Sequence, residues 1–119
     1  HVVSAFIDDV RERGLQDRIL LVVTGEMGRT PRLNNNGGRD HYGELTPLLL
    51  FGGGLKMGQV IGQSDGQAGR ASTEPYRPQH LISTVMQTLF DVGKLRLAPN
   101  MPREIGRLAE LGKPIDHLT

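Results

Sequence analysis

Five polar side chains that could bind or transform a ligand lie close together in the first half of this sequence. They are Glu26, Arg29, Arg39, Asp40 and His41. Carboxylate and imidazole groups can exchange protons with a substrate, and isolated arginines can recognise an anion. The types of residue and their spacing therefore indicate part of an active or binding site.

The loop that holds these side chains runs between two predicted strands. Residues 19–23 form a continuous apolar run, which is typical of a strand covered on both faces in a parallel sheet. A second strand is predicted at about residues 45–52, and residues 25–44 between the strands are rich in glycine and asparagine. In open α/β sheets, polar groups gather at the carboxyl ends of the strands because the loops there are free to carry them. We therefore expect the loop to form part of the site.

Two amphipathic helices are predicted outside this region. Apolar residues recur at three- and four-residue spacing from Val2 to Val10, and Gly14 suits the position after the last turn. A second apolar stripe predicts a helix over residues 78–90, with Pro78 in its first turn and Gly93 at its end. Both helices would cover the faces of the predicted sheet.

The remaining segments give weaker patterns. Residues 59–62 are interpreted as a short edge strand, and the tail after Gly93 as a short hairpin or an irregular cap. Two strands and two helices are few for a complete α/β layer structure. We therefore interpret residues 1–119 as a single unit, the C-terminal portion of a larger domain.

Composition excludes several classes of protein. The 119 residues carry 14 lysines and arginines against 13 carboxylates, a net charge of +1, which argues against a nucleic-acid partner. No cysteine is present, which excludes disulfides, thiolate metal sites and a cysteine nucleophile. No apolar run reaches the roughly 18 residues of a membrane span. The chain begins without Met, as a fragment would, so the missing signal peptide does not argue against a longer parent that is exported or periplasmic.

Two motifs resemble a known family. Residues 24–28 read Thr-Gly-Glu-Met-Gly at the end of the first strand, and residues 40–52 read Asp-His-Tyr-Gly-Glu followed by an apolar strand. Their order is similar to the late part of the alkaline phosphatase superfamily domain. The resemblance is closest to an uncharacterised sulfatase-like family of exported bacterial proteins, abundant in planctomycetes, and covers residues 1 to about 92. It implies the partial three-layer α/β sandwich of the alkaline phosphatase type.

The resemblance also implies a chemistry. Enzymes of that superfamily hydrolyse or transfer phosphate or sulfate esters with two divalent metals, such as zinc or manganese. Residue by residue, Glu26 and His41 would be metal ligands, and Asp40 an orienting residue or an occasional ligand. Arg29 and Arg39 would neutralise the anionic ester, because a guanidinium can bind two of its oxygens at once. The expected function is that of a metal-assisted phosphate- or sulfate-ester hydrolase.

Two departures from the family pattern favour an alternative. Met27 stands where the superfamily has a metal-binding His, and a thioether is a poor ligand for such a cation. Nothing here matches the nucleophile, so this chain alone should be inactive. The alternative is a non-catalytic relative that binds an anionic ligand such as a sulfated glycan. A dinucleotide-binding module is the weakest interpretation, because no glycine fingerprint follows a strand.

Structural roles remain open for the same residues. Glu26 could cap a turn or pair with Arg29, Asp40 could form an Asx-turn, and the arginines could tie the loop to carboxylates. If the isolated chain folds, its sheet edges and apolar helix faces need a cover, and self-association is one expectation that follows.

Overall fold

The computed structural model describes residues 1–118 and contains four helices and four strands there. In chain order these are α1 Val2–Glu12, β1 Leu20–Thr24, β2 Gly28–Arg29, β3 His41–Tyr42, β4 Leu48–Gly52, α2 Pro78–Leu89, α3 Val92–Leu97 and α4 Arg103–Ala109. Strand β1 pairs with β4 in one two-stranded sheet, and β2 pairs with β3 in another. Both predicted helices and both predicted strands are present, but the second strand begins at Leu48 rather than at residue 45.

The chain divides into two compact units. The first comprises residues 1–20, 51–58 and 76–118, and the second comprises residues 21–50 and 59–75. All the buried apolar side chains among the described residues belong to the first unit: Val10, Phe51, Leu55, Met86, Ile115 and Leu118. The second unit carries all five polar side chains of the predicted site.

In the first unit, α1 ends as the sequence predicts. Gly14 adopts a left-handed φ of +66°, which glycine takes without steric cost, and its N–H donates to the Arg11 carbonyl. Val10 is the buried residue of the helix. The Arg11 guanidinium lies 5.4 Å from the ring centroid of Phe51, where it can interact with the face of the ring.

Helix α2 begins at Pro78, as expected, because proline needs no hydrogen bond at the first helical position. The Nδ1 atom of His80 accepts a hydrogen bond from the Arg77 backbone N–H at 2.8 Å and so satisfies a donor at this terminus. The prediction that Gly93 ends the helix is wrong. Helix α2 ends at Leu89, and Gly93 lies inside α3, whose N-terminus is capped by the Asp91 side chain.

The predicted tail hairpin is also wrong. Residues 92–97 and 103–109 form α3 and α4, and α4 packs against α2. After α4, the chain is held to α2 by two buried hydroxyl groups. Ser83 donates to the Gly112 carbonyl at 2.6 Å, and Thr84 accepts from the Ile115 backbone N–H at 2.8 Å. Tertiary contacts with α2 thus determine the course of this tail, which has little periodicity of its own.

In the second unit, residues 59–62 are not a strand. The chain pairs slightly later, where Ser64 and Ala71 form an isolated antiparallel bridge. No helix among residues 1–118 is long and apolar enough to cross a membrane. The partial three-layer α/β sandwich remains a prediction, as does the interpretation of residues 1–119 as a single part of a larger domain.

Candidate functional site

The core of the candidate site is a short antiparallel hairpin. Strand β2 pairs with β3 so that Arg29 lies opposite His41 and Gly28 lies opposite Tyr42. The next residue pair is joined by one backbone hydrogen bond, from the Thr30 N–H to the Asp40 carbonyl at 3.0 Å. Side chains of directly opposite residues in an antiparallel pair lie on the same face, with Cβ atoms about 4.5–5.5 Å apart. Arg29 and His41 are therefore neighbours on one face of the hairpin.

Both of these side chains face solvent. Arg29 and His41 are exposed, and within residues 1–118 neither side chain has a hydrogen-bond or ion-pair partner. The structure therefore does not pair Arg29 with Glu26, which was one structural interpretation of these residues. A guanidinium and an imidazole placed side by side on an exposed face are both able to donate hydrogen bonds to an external acceptor.

The Arg39 side chain is hydrogen-bonded to the backbone of the loop. Its Nη1 atom donates to the carbonyls of Thr30 and Pro31, each at 2.7 Å, and so closes the loop between the strands. Neither Arg29 nor Arg39 forms the expected ion pair with a carboxylate of the described residues. The Nε and Nη2 groups of Arg39 have no partner within residues 1–118 and remain available to an anion.

Asp40 is likewise engaged inside the loop. Its Oδ1 atom accepts from Asn34 Nδ2 at 2.8 Å, and its backbone N–H donates to Thr30 Oγ1 at 3.0 Å. The Asn34 Oδ1 atom in turn accepts from the N–H groups of Asn36 and Gly38, both at 3.0 Å. Such a side-chain cap on the following backbone is the usual reason for asparagine in turns. Asp40 therefore supports the loop with at least one of its two oxygens.

The predicted metal ligands are Glu26, Asp40 and His41. Glu26 lies in the bend between β1 and β2, where it is exposed and has no side-chain partner within residues 1–118. No three His, Asp or Glu side chains in the described part of the chain are grouped closely enough to hold a metal ion. Glu26, Asp40 and His41 therefore do not form a three-ligand metal site.

Met27 and Gly28 fix the base of the hairpin. Met27 is half-buried. Gly28 is buried, and a Cβ atom there would lie 1.7 Å from the Leu45 carbonyl oxygen. Only glycine permits this approach of two backbone segments. The hairpin therefore depends on Gly28. This glycine belongs to the sequence motif, but the motif alone does not reveal its structural role.

Two contributors to the site were missed by the sequence analysis. Asn34 is one of several asparagines in the predicted loop, and the preference of asparagine for capping its own backbone could have identified its role. Tyr42 is half-buried, and its hydroxyl donates a hydrogen bond to the Gly69 carbonyl. That contact joins residues far apart in the chain, and no local pattern predicts it.

The predicted membership in the alkaline phosphatase superfamily is wrong, and so is the assignment to its sulfatase-like group. The sequence matches another family over almost its whole length, and no alkaline phosphatase or sulfatase family matches. The suggestive pattern was an apolar strand, a polar loop with Asp-His, and a second apolar strand. Polar loops at strand ends are general in α/β chains, and Met27 already departed from the pattern.

Comparison with known proteins places the chain in a family without a described activity. No curated protein and no solved structure matches it. Residues 1–113 match the family described as "Protein of unknown function (DUF1501)". This match covers far more than half of the 119 residues. The chain therefore belongs to the DUF1501 family.

Proposed function

We propose that the β2–β3 hairpin binds a phosphate or sulfate ester group through Arg29 and His41. The observation that carries this proposal is the register of the hairpin, which places these two side chains opposite each other on an exposed face. The guanidinium offers two parallel N–H donors to a tetrahedral anion, and the imidazole offers a third donor beside them. Neither group is already neutralised by a carboxylate of the described chain.

The rigidity of the loop supports the same proposal. A binding group contributes more affinity when its geometry is fixed before the ligand arrives. Here Arg39 and Asn34 hold the loop between β2 and β3 with hydrogen bonds of 2.7–3.0 Å. These hydrogen bonds fix the backbone segment between Arg29 and His41.

The charge balance of the second unit favours one ester group over a polyanion. This unit has four arginines and no lysine against five carboxylates, which gives a formal charge of −1 with neutral histidine. Polyanions are bound through many basic groups on one surface. A sulfated glycan with many charges would meet Glu26 and Glu44 as well as the arginines. We therefore propose a small anionic ester as the ligand, in preference to a highly sulfated glycan.

Hydrolysis of the bound ester with a divalent metal remains a prediction. It requires ligands beyond Glu26, Asp40 and His41, since these do not come together as a group of three. The measurement is the zinc and manganese content of the purified chain, with and without chelator, in wild type and in His41→Ala. Near-stoichiometric metal that is lost in His41→Ala supports the prediction, and equal metal content in both proteins contradicts it.

Binding itself is tested with phosphate and sulfate monoesters as probes. We expect NMR titration to show saturable binding by the wild type and a loss of roughly 10- to 100-fold in affinity in Arg29→Gln, the range of one or two charge-assisted hydrogen bonds. Arg32→Gln is the matched control, because Arg32 is exposed in the same loop and has no side-chain partner within residues 1–118. Equal losses in the two variants would show only an unspecific effect of charge and would overturn the proposal.

A further inference from the structure

The second unit contains another hairpin besides the β2–β3 hairpin. We call residues 63–73 the Asp65 hairpin. The N–H of Asp65 donates to the Arg70 carbonyl at 2.8 Å, and the Gln63 N–H donates to Thr73 Oγ1 at 3.0 Å. At the tip, Asp65 Oδ1 accepts from the Gly69 N–H at 2.7 Å. The backbone N–H of Gly69 is therefore held by a carboxylate within its own turn.

This fixed tip holds Tyr42. The tyrosine hydroxyl donates to the Gly69 carbonyl, and the ring is half-buried. Tyr42 directly follows His41 on β3, and successive side chains of a strand point to opposite faces. The Asp65 hairpin thus contacts the face opposite to Arg29 and His41.

Beyond the loop hydrogen bonds that hold Asp40 at its start, strand β3 has few other restraints. It is two residues long. The second unit, to which it belongs, has no buried apolar side chain among the described residues. A short hairpin without a core is marginally stable in water and can twist or fray. The orientation of its exposed face must therefore come from hydrogen bonds, and the one at Tyr42 is attached to the residue next to His41.

We infer that Tyr42 is a positioning residue, which holds His41 beside Arg29 by anchoring β3 to the Asp65 hairpin through the Gly69 carbonyl. This inference rests on the proposed function for its consequence in binding. Its structural part, the orientation of His41, can be measured without any ligand. The Asp65 hairpin then acts as the support of the anion site, although none of its residues belongs to the Arg29–His41 face.

The test is Tyr42→Phe, which removes the hydroxyl and keeps the ring. We expect the His41 imidazole resonances in the NMR spectrum of the free protein to shift, and amide exchange at Thr30 to accelerate. We also expect the affinity for a phosphate monoester to fall roughly two- to tenfold, the range of one neutral hydrogen bond. The control is Tyr76→Phe, since Tyr76 contacts His80 through its ring, 5.4 Å between centroids, and lies in the first unit.

The outcomes separate this inference from the proposed function. If Tyr42→Phe lowers only the unfolding midpoint and leaves the His41 resonances and Thr30 exchange unchanged, Tyr42 has a purely structural role and the inference is overturned. If the wild type binds no phosphate or sulfate ester, the proposed function fails. The His41 resonances of the two phenylalanine variants then still decide whether Tyr42 positions the histidine.

Discussion

At the scale of single residues, Gly28 shows how little freedom the candidate site has. A Cβ atom at this position would lie 1.7 Å from the Leu45 carbonyl oxygen and 2.9 Å from its carbon, both in the backbone. We expect Gly28→Ala to lower the free energy of unfolding by about 1–3 kcal/mol, the range for a group forced into filled space. Urea unfolding measures the loss.

The matched control for this prediction is Gly43→Ala in the same unit. A Cβ atom on Gly43 would meet no atom within 4 Å. We expect the control to change the free energy of unfolding by no more than about 0.5 kcal/mol. Equal destabilisation by the two alanines would contradict the assignment of the effect to the contact with Leu45.

In the first unit, Thr84 is the single residue on which we expect stability to depend in a similar way. It is buried, its hydroxyl donates to the His80 carbonyl at 2.7 Å, and it accepts from the Ile115 N–H at 2.8 Å. Thr84→Val keeps the shape but leaves that buried N–H without a partner, which costs about 1–3 kcal/mol. Thr88→Val is the control, because the Thr88 hydroxyl only donates to a helix carbonyl. Thermal unfolding should show a clearly larger loss for Thr84→Val, and a loss no larger than that of the control would contradict the assigned role.

At the scale of elements, the loop between β2 and β3 depends on Asn34. This side chain makes three hydrogen bonds, to Asn36, Gly38 and Asp40. We expect Asn34→Ala to release the loop, so that the Gly38 amide exchanges with solvent at least tenfold faster, equivalent to about 1.4 kcal/mol. The measurement is hydrogen exchange followed by NMR.

The neighbouring asparagine provides the control for the loop. Asn35 is exposed and its side chain has no partner within residues 1–118, so Asn35→Ala should leave the exchange of Gly38 unchanged. If both alanine variants accelerate exchange equally, the loop is held by the Arg39 contacts alone. The role assigned to Asn34 would then be wrong.

The elements that could be predicted are those whose signal is local. The apolar periodicity of α1, the proline at the start of α2 and the apolar run of β1 each lie within one short window. Strands β2 and β3 are two residues long, and long-range pairing of Gly28 with Tyr42 defines them. Helices α3 and α4 were missed because they are short, at six and seven residues.

The candidate site was predictable in location but not in geometry. The composition of residues 25–44 predicted the polar loop, and the structure places Arg29 opposite His41 on the β2–β3 hairpin. Asp40 and Arg39, by contrast, support the loop through contacts with Asn34 and the Thr30 carbonyl. The strand register decides which polar side chains face a ligand and which ones bind the backbone. The residue types alone do not define that register.

At the scale of the whole molecule, the distribution of apolar side chains predicts self-association. Fifteen large apolar residues in the described chain are exposed, whereas only six form the buried core. Large apolar area left in water favours association with other surfaces. We expect light scattering to give a mass above the 13.1 kDa of one chain, rising with protein concentration. Leu97, 86% exposed at the end of α3, is a suitable residue to alter.

Leu97→Gln keeps a good helix former and removes an apolar side chain, whereas Leu97→Met keeps the apolar character. If exposed apolar area drives association, the glutamine variant should have a lower mass at each concentration, and the methionine variant should behave as the wild type. A wild-type mass that stays at 13.1 kDa across the concentration range would contradict self-association. The exposed apolar side chains of the isolated chain would then be tolerated in water without a cover.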